Sequence, residues 1–276
     1  MKSGEDNKIV NGLWIGKRLS QVELLTINSF LKNGHTFVLW TYETLENDLP
    51  QEVILKDASQ IIPKEEVFCY KNSNQFGHGK GSYAGFSDLF RYKLLYEFGG
   101  WWVDMDVTCL RPFTFEEPYV FRIHHDFPVV GNIMKCPKGS ELMKRCYEQG
   151  IACVDENNKD WNLPIQILND TIKELGLSIY IKTISNHDKW NDVRKMLFKD
   201  VNFPESWWAI HWINEEWRRN NIDKNIFYKG SSIGKLYEKF IGNDTKVLKK
   251  LSFRNKLKLS FFGAALIQVK DRILKN

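Results

Sequence analysis

The chain has 276 residues, 43% of them hydrophobic and 14% aromatic, and 39 basic against 34 acidic side chains give a net charge of +5. That is enough chain and enough apolar surface to bury one large α/β domain, and it excludes a disordered or low-complexity polypeptide. No run approaches the roughly 20 apolar residues a spanning helix needs, and five cysteines without a CxxC pair indicate neither a disulfide framework nor a zinc site.

Ile9 and Val10 begin a strand that Leu13-Trp14-Ile15-Gly16 carries into a turn. Ser20 fits the N-cap of a helix running to about Lys32, with Val22, Leu25, Ile27, Phe30 and Leu31 as its apolar residues. Gly34 ends that helix, and Phe37-Val38-Leu39-Trp40 reads as a buried strand. The βαβ order suits a doubly wound nucleotide-binding half, in which ligands sit beyond the carboxyl ends of the strands. No GxGxxG follows the first strand, so the dinucleotide fingerprint is absent. Residues 43–81 are irregular, with Pro50 and Pro63 as breakers. Gly77-His78-Gly79-Lys80-Gly81-Ser82 lacks the spacing of a phosphate loop and reads as a loop from which His78 or Lys80 can reach a phosphate.

The most informative stretch is Ser82 to Leu110. Phe86, Phe90 and Leu94, with Leu89 and Leu95 beside them, recur at helical spacing and predict one buried stripe. Gly99-Gly100 stops the helix, and Trp101-Trp102-Val103 follows as a strand. Side chains alternate along a strand, so Asp104 and Asp106 are expected on one face with Met105 on the other. Two adjacent carboxylates need a proton, a cation or strong hydrogen bonds, and a divalent metal is the common solution. Mg²⁺ or Mn²⁺ held by one or two carboxylates usually completes its shell with water and phosphate oxygens.

Ser87-Asp88-x-x-Arg91, the Gly-Gly-aromatic-aromatic turn and Asp104-x-Asp106 together resemble the sugar-nucleotide site of DXD glycosyltransferases. The resemblance is to family 32 with its capsule-type and mannosyltransferase relatives, and the clostridial glucosylating toxins are similar here too. It implies an α/β fold of GT-A type, a single mixed sheet flanked by helices, with a helical C-terminal extension. It also implies hexose transfer from a nucleotide diphosphate sugar, with retention of configuration. By resemblance, Asp104 and Asp106 hold the metal, Asp88 and Arg91 bond the sugar hydroxyls, and Trp102 lies beside the donor. Leu13, Trp14 and Ile15 fall near the nucleotide base. Asp88 and Arg91 also have the spacing of a plain ion pair on a helix, and one of Trp101 and Trp102 is expected in the core.

Tyr119 to Ile123 and Val129 to Met134 read as strands, and the family often places an Asn near the donor where Asn132 stands. His124, His125 and Asp126 between them read as a polar loop, since as metal ligands they would need help from other elements. Pro137-Lys138-Gly139-Ser140 caps a helix through Tyr147, and Leu163-Pro164 stands where relatives begin a helix with Gly-Pro. The late block, Trp208-Ala-Ile-His211 with Trp217 beyond it, resembles the family's closing segment. There His211 completes the metal shell or touches the diphosphate, and Trp217 covers the donor. An imidazole ligand favours Mn²⁺ over Mg²⁺, but a buried, hydrogen-bonded His211 without a metal fits the same sequence. Glu215 and Glu216 depart from the small polar residues that relatives often show.

From Lys246 onward nine basic residues face one acid, a net +8 against +5 for the whole chain. Interleaved with Leu251, Phe253, Leu257, Phe261, Phe262 and Ile267, they make 246–276 a basic amphipathic segment appended to a catalytic domain of residues 1–245. Such a segment either lies on an anionic membrane or packs on the domain. The reduced cysteines and an opening MKSGEDNK without an apolar stretch lead us to expect a cytoplasmic protein, peripheral on the inner face of the membrane. The expected partners are a UDP- or GDP-hexose and a glycan or lipid-linked acceptor, with no nucleic acid, since no recognition motif is present. Two rival readings are a haloacid-dehalogenase-like phosphatase using Asp104 and Asp106, and a noncatalytic sugar-binding protein.

Overall fold

A computed structural model describes residues 7–251. The chain opens with strand β1 (Ile9–Trp14), helix α1 (Gln21–Lys32), β2 (Thr36–Thr41) and β3 (Ile54–Asp57). Helix α2 (Ala84–Phe98) leads into β4 (Gly100–Val103), then β5 (Val107–Cys109), β6 (Val120–Arg122) and β7 (Val130–Cys136). Next come α3 (Glu141–Cys153), α4 (Leu163–Glu174), β8 (Ile181–Lys182) and α5 (Trp190–Phe198). The described chain closes with β9 (Ala209–His211), α6 (Asn214–Arg219), β10 (Phe227–Tyr228), α7 (Ser232–Phe240) and β11 (Leu248–Lys249).

Seven strands form one mixed sheet in the order β3-β2-β1-β4-β7-β6-β8. The first four are parallel, β7 runs antiparallel to both β4 and β6, and β8 is parallel to β6. Two small ribbons complete the structure, antiparallel β5–β9 and parallel β10–β11. This is the GT-A-type arrangement, a mixed sheet flanked by helices and closed by a late helix, α7. Val247 and Leu248 are buried with α7. Residues 252–276, and with them most of the basic segment, lie outside the described residues.

The helix ends follow from local chemistry. Ser20 caps α1 in a full capping box, accepting from Val22 N while the Glu23 carboxylate accepts from Ser20 N, a device worth about 1 kcal/mol. Glu23 is fully buried, and Lys224 neutralises it at 2.6 Å. Gly99 ends α2 at φ 71°, where its hydrogen also avoids the Lys138 backbone: a Cβ would lie 2.5 Å from Lys138 N.

Trp101 and Trp102 are adjacent on β4, so they enter cores on opposite faces of the sheet. Trp102 packs under α2, α3 and α4 with Trp40, Phe90 and Met134. Trp101 packs with Phe113, Phe115 and Phe30 of α1. Both indoles are buried, where only one was expected in the core. A third core beneath α5, α6 and α7 gathers Trp212, Trp217, Phe227 and Tyr237. Asn11 ties the central strands together, accepting from Trp40 Nε1 and donating to Trp101 O.

Candidate metal and donor site

The parallel strands β1 and β4 end at the floor of a cavity of about 840 Å³. Strand β4 stops at Val103, so Asp104, Met105 and Asp106 form a turn between the main sheet and the β5–β9 ribbon. The two carboxylates therefore meet through this turn and not through alternation along one strand. Met105 is buried against the α1 side, and its carbonyl accepts from Thr26 Oγ1 at 2.8 Å, which fixes the turn to α1.

His211 reaches the same corner from more than a hundred residues away. In the β5–β9 ribbon Val107 pairs with His211, Trp212 N donates to Asp106 O at 2.9 Å, and Trp212 Nε1 donates to Thr108 Oγ1 at 2.7 Å. Ile213 then takes a left-handed φ of 55°, a conformation costly for a β-branched residue, and turns Asn214 N onto Asp106 Oδ2 at 2.6 Å. Asp104, Asp106 and His211 offer ligand atoms all within 4.8 Å of one another.

The hydrogen bonds to the two carboxylates fall on one oxygen each. Asp104 Oδ1 takes Trp102 Nε1 at 2.8 Å and Arg91 at 3.3 Å, while Asp106 Oδ2 takes Asn214 N and faces His211 Nε2 at 3.3 Å. Asp104 Oδ2 and Asp106 Oδ1 take no hydrogen bond among the described residues. Two carboxylates with a free oxygen each, joined by one imidazole, fit a divalent metal with oxygen and nitrogen ligands. The buried cluster of Asp104, Asp106 and His211 can thus coordinate such an ion.

Beside this corner, Asp88 and Arg91 do form the i,i+3 pair, at 3.1 Å, but Arg91 also bridges to Asp104. Its guanidinium lies 5.3 Å from the Trp102 ring centre and fills the space over Gly131. Arg91 is buried and Asp88 half-buried at the cavity wall. Burial pushes the Asp88 carboxyl up to about 6, with Arg91 opposing and Asp104 adding to the rise. Trp102 thus serves from below, orienting Asp104 and Arg91 with its N–H and its ring.

Leu13, Trp14, Ile15 and Asn132 line the cavity, as do His78, His124 and His125. Lys224 stands 5.5 Å over the Trp14 ring, and Trp14 Nε1 is buried with no partner among the described residues. Lys80 contributes its carbonyl to Arg218, joining the glycine-rich loop to α6. Glu215 and Glu216 also face the cavity and pair with Arg218 and Arg219. Trp217 does not line the cavity. It is buried in the third core, where its Nε1 donates to Trp212 O at 2.8 Å, because the underside of α6 offers an indole both apolar cover and a carbonyl.

Sequence reading missed Asp188 and Arg122. Asp188 Oδ1 lies 2.8 Å from His211 Nδ1, and the Arg122 fork grips the same carboxylate. Burial works against the charge on His211, but Asp106 and Asp188 together overcome it and hold the imidazolium up to about 10. Burial likewise opposes the charge on Asp188, yet His211 and Arg122 keep that carboxyl far below the usual range. The only trace in the sequence is the polar run Ser185-Asn186-His187-Asp188, which carries no family signature by itself.

A family model described as glycosyltransferase sugar-binding region containing DXD motif matches residues 21–125, under half of the chain. That span includes Asp88, Arg91, Asp104 and Asp106 and ends before Asp188 and His211. The chain therefore has a GT-A-like glycosyltransferase fold with a DXD-like region. No curated protein matches it. Similar solved structures include the PaToxG glycosyltransferase, at 14% identity and a TM-score of 0.45 over 61% of this chain and 68% of that one. Another is a transferase mutant with two cysteine-to-serine substitutions, at 9% identity and a TM-score of 0.39 over 62% and 85%.

Proposed function

We propose that the chain is a metal-dependent glycosyltransferase that moves a hexose from a UDP- or GDP-linked donor to a glycan or lipid-linked acceptor, with retention, in cell-surface polysaccharide synthesis. The observation that carries this reading is the meeting of Asp104, Asp106 and His211 beside the Asp88–Arg91 pair at the floor of one large cavity. Asp104, Asp106 and His211 would hold Mn²⁺ in preference to Mg²⁺, since imidazole suits the softer ion. Bound there, the ion supplies positive charge against the diphosphate leaving group.

The remaining work falls to the chain. Asp88 and Arg91 present a half-buried acceptor and a buried donor to the sugar hydroxyls, and removal from water makes each such bond more selective. Trp102 holds the same Asp104 oxygen that Arg91 reaches, which leaves the other oxygen of the carboxylate for the ion. Leu13, Trp14 and Ile15 offer the nucleotide base an apolar wall. Residues 246–276 would bring the domain to an anionic membrane where a lipid-linked acceptor resides. Among the described residues no helix is long and apolar enough to cross a membrane. The phosphatase reading gives Asp88 and Arg91 no task, and it leaves the intended nucleophile, Asp104, tied to Trp102 and Arg91.

The test is nucleotide release from a panel of UDP- and GDP-sugars with Mn²⁺ and no acceptor, with Asp104→Ala as control. Release from one donor, lost in the variant, is the expected result. Turnover of p-nitrophenyl phosphate without release from any sugar nucleotide would refute the transferase reading.

A further inference from the structure

An imidazole has two nitrogens, and a metal corner works only if the right one faces the ion. His211 Nε2 points to Asp106 Oδ2 at 3.3 Å, while Nδ1 points away from the corner to Asp188 Oδ1 at 2.8 Å. The backbone of His211 is gripped at the same time, because its N–H donates to Asn186 Oδ1 at 2.8 Å and its carbonyl accepts from Asn186 Nδ2 at 2.9 Å. Asp188 itself is held by Arg122, whose NH1 lies 2.7 Å from Oδ2 and whose NH2 reaches Oδ1. Arg122 is in turn anchored on Ser185 Oγ and the Asn186 carbonyl. The carboxylate sits on a backbone with φ 59°, which an Asp tolerates better than most residues.

A second group competes for Nδ1. Asn132 Nδ2 lies 3.0 Å from it, and the Asn132 amide cannot turn over, because Arg122 NH1 donates to its Oδ1 at 3.2 Å. An amide NH₂ can only donate to Nδ1, which would drive the ring proton onto Nε2 and close the metal-facing nitrogen. A carboxylate can only accept from Nδ1–H, which leaves Nε2 open. The charge-assisted bond to Asp188 is the stronger of the two.

We infer that Asp188 is a positioning residue that commits His211 to bind through Nε2 and so sets the preference of the Asp104–Asp106–His211 corner for manganese over magnesium. This rests on the metal reading proposed above. A carboxylate behind a ligating imidazole fixes the tautomer and raises the basicity of the ligand, and losing it typically costs about 10–100-fold in metal affinity. Mg²⁺, which draws chiefly on oxygen ligands, gains little from the imidazole.

The test compares Mn²⁺ and Mg²⁺ binding by the full chain and by Asp188→Asn, with Asp106→Asn as the control for binding at this corner. Mn²⁺ affinity should fall about 10–100-fold in Asp188→Asn while Mg²⁺ affinity changes less than about threefold. Equal losses for both ions would mean that Asp188 only holds the fold, and an unchanged Mn²⁺ affinity would overturn the inference outright. Should Asp188→Asn fail to fold, ¹⁵N NMR of the imidazoles in the Zn²⁺-loaded wild type decides. His211 should carry its proton on Nδ1 and bind through Nε2, and the opposite tautomer refutes the proposal. If the wild type binds no ion in an Asp106-dependent way, the metal reading itself falls and this inference with it.

Discussion

Adding a single methyl group at Gly131 should disable donor recognition while leaving the fold nearly intact. A Cβ there would lie 2.5 Å from Arg91 NH1 and 3.2 Å from Arg91 Cδ. Ordinary contact needs about 3.5 Å, so the guanidinium must retreat by about 1 Å. Arg91 NH2 now stands 3.1 Å from Asp88 and 3.3 Å from Asp104, and such a retreat breaks or lengthens both contacts beyond hydrogen-bond range. The backbone of β7 need not move, because the obstacle is the far end of a flexible side chain, and overpacking of this kind costs about 1–2 kcal/mol of stability. Losing a hydrogen bond from a charged group to a sugar hydroxyl costs about 1.5–3 kcal/mol, or about 10- to 150-fold in kcat/KM. The assay is nucleotide release in Gly131→Ala across donor concentrations, beside a thermal melt and Mn²⁺ binding. The variant should melt within a few degrees of wild type, bind Mn²⁺ nearly as well and lose donor turnover. Wild-type kcat/KM in Gly131→Ala would refute the role given to Arg91.

Two further predictions concern the corner itself. In the metal-free protein His211 has its pKa raised from 6.5 to about 10. The folded state therefore binds a proton that the unfolded state releases, and its stabilising effect, complete below about 6.5, is lost as the pH rises toward 10, by at most about 1.4 kcal/mol per pH unit. Denaturant midpoints in EDTA should fall across that window, and His211→Gln should flatten the slope; a wild-type profile level from 7 to 10 would contradict it. Trp102→Phe keeps most of the core volume but removes the N–H that holds Asp104 Oδ1. Mn²⁺ affinity should drop about tenfold with a modest loss of stability, and an unchanged affinity would show that Arg91 alone suffices to place that carboxylate.

Much of the donor corner was legible because it is local. The stripe of α2, its glycine stop and the Asp-x-Asp follow one another within thirty residues, and each obeys a short-range rule. The Ser20 N-cap of α1 was legible for the same reason. The reasoning about alternation on β4 failed because the strand ends one residue before Asp104, and a turn does not keep the period of two. Trp217 was misplaced because an aromatic beyond a histidine can face the cavity or the core, and only the left-handed Ile213 and the carbonyl of Trp212 decide which. Asp188 and Arg122 had no chance of being read: their partnership joins residues 66 positions apart through a buried side-chain pair, and nothing in either neighbourhood alternates or repeats to announce it.

The β5–β9 ribbon changes how the folding of this chain should be pictured. Asp88 and Asp104 meet the Arg91 guanidinium within one local stretch of sequence. Asp106 depends instead on the late strand, which delivers an imidazolium from 105 positions away and a backbone N–H from 108. Asp106 thus meets its charged and hydrogen-bonding partners only in the finished topology. The ribbon thus couples completion of the fold to competence of the site: the corner has its third member only where residue 211 lies beside residue 107.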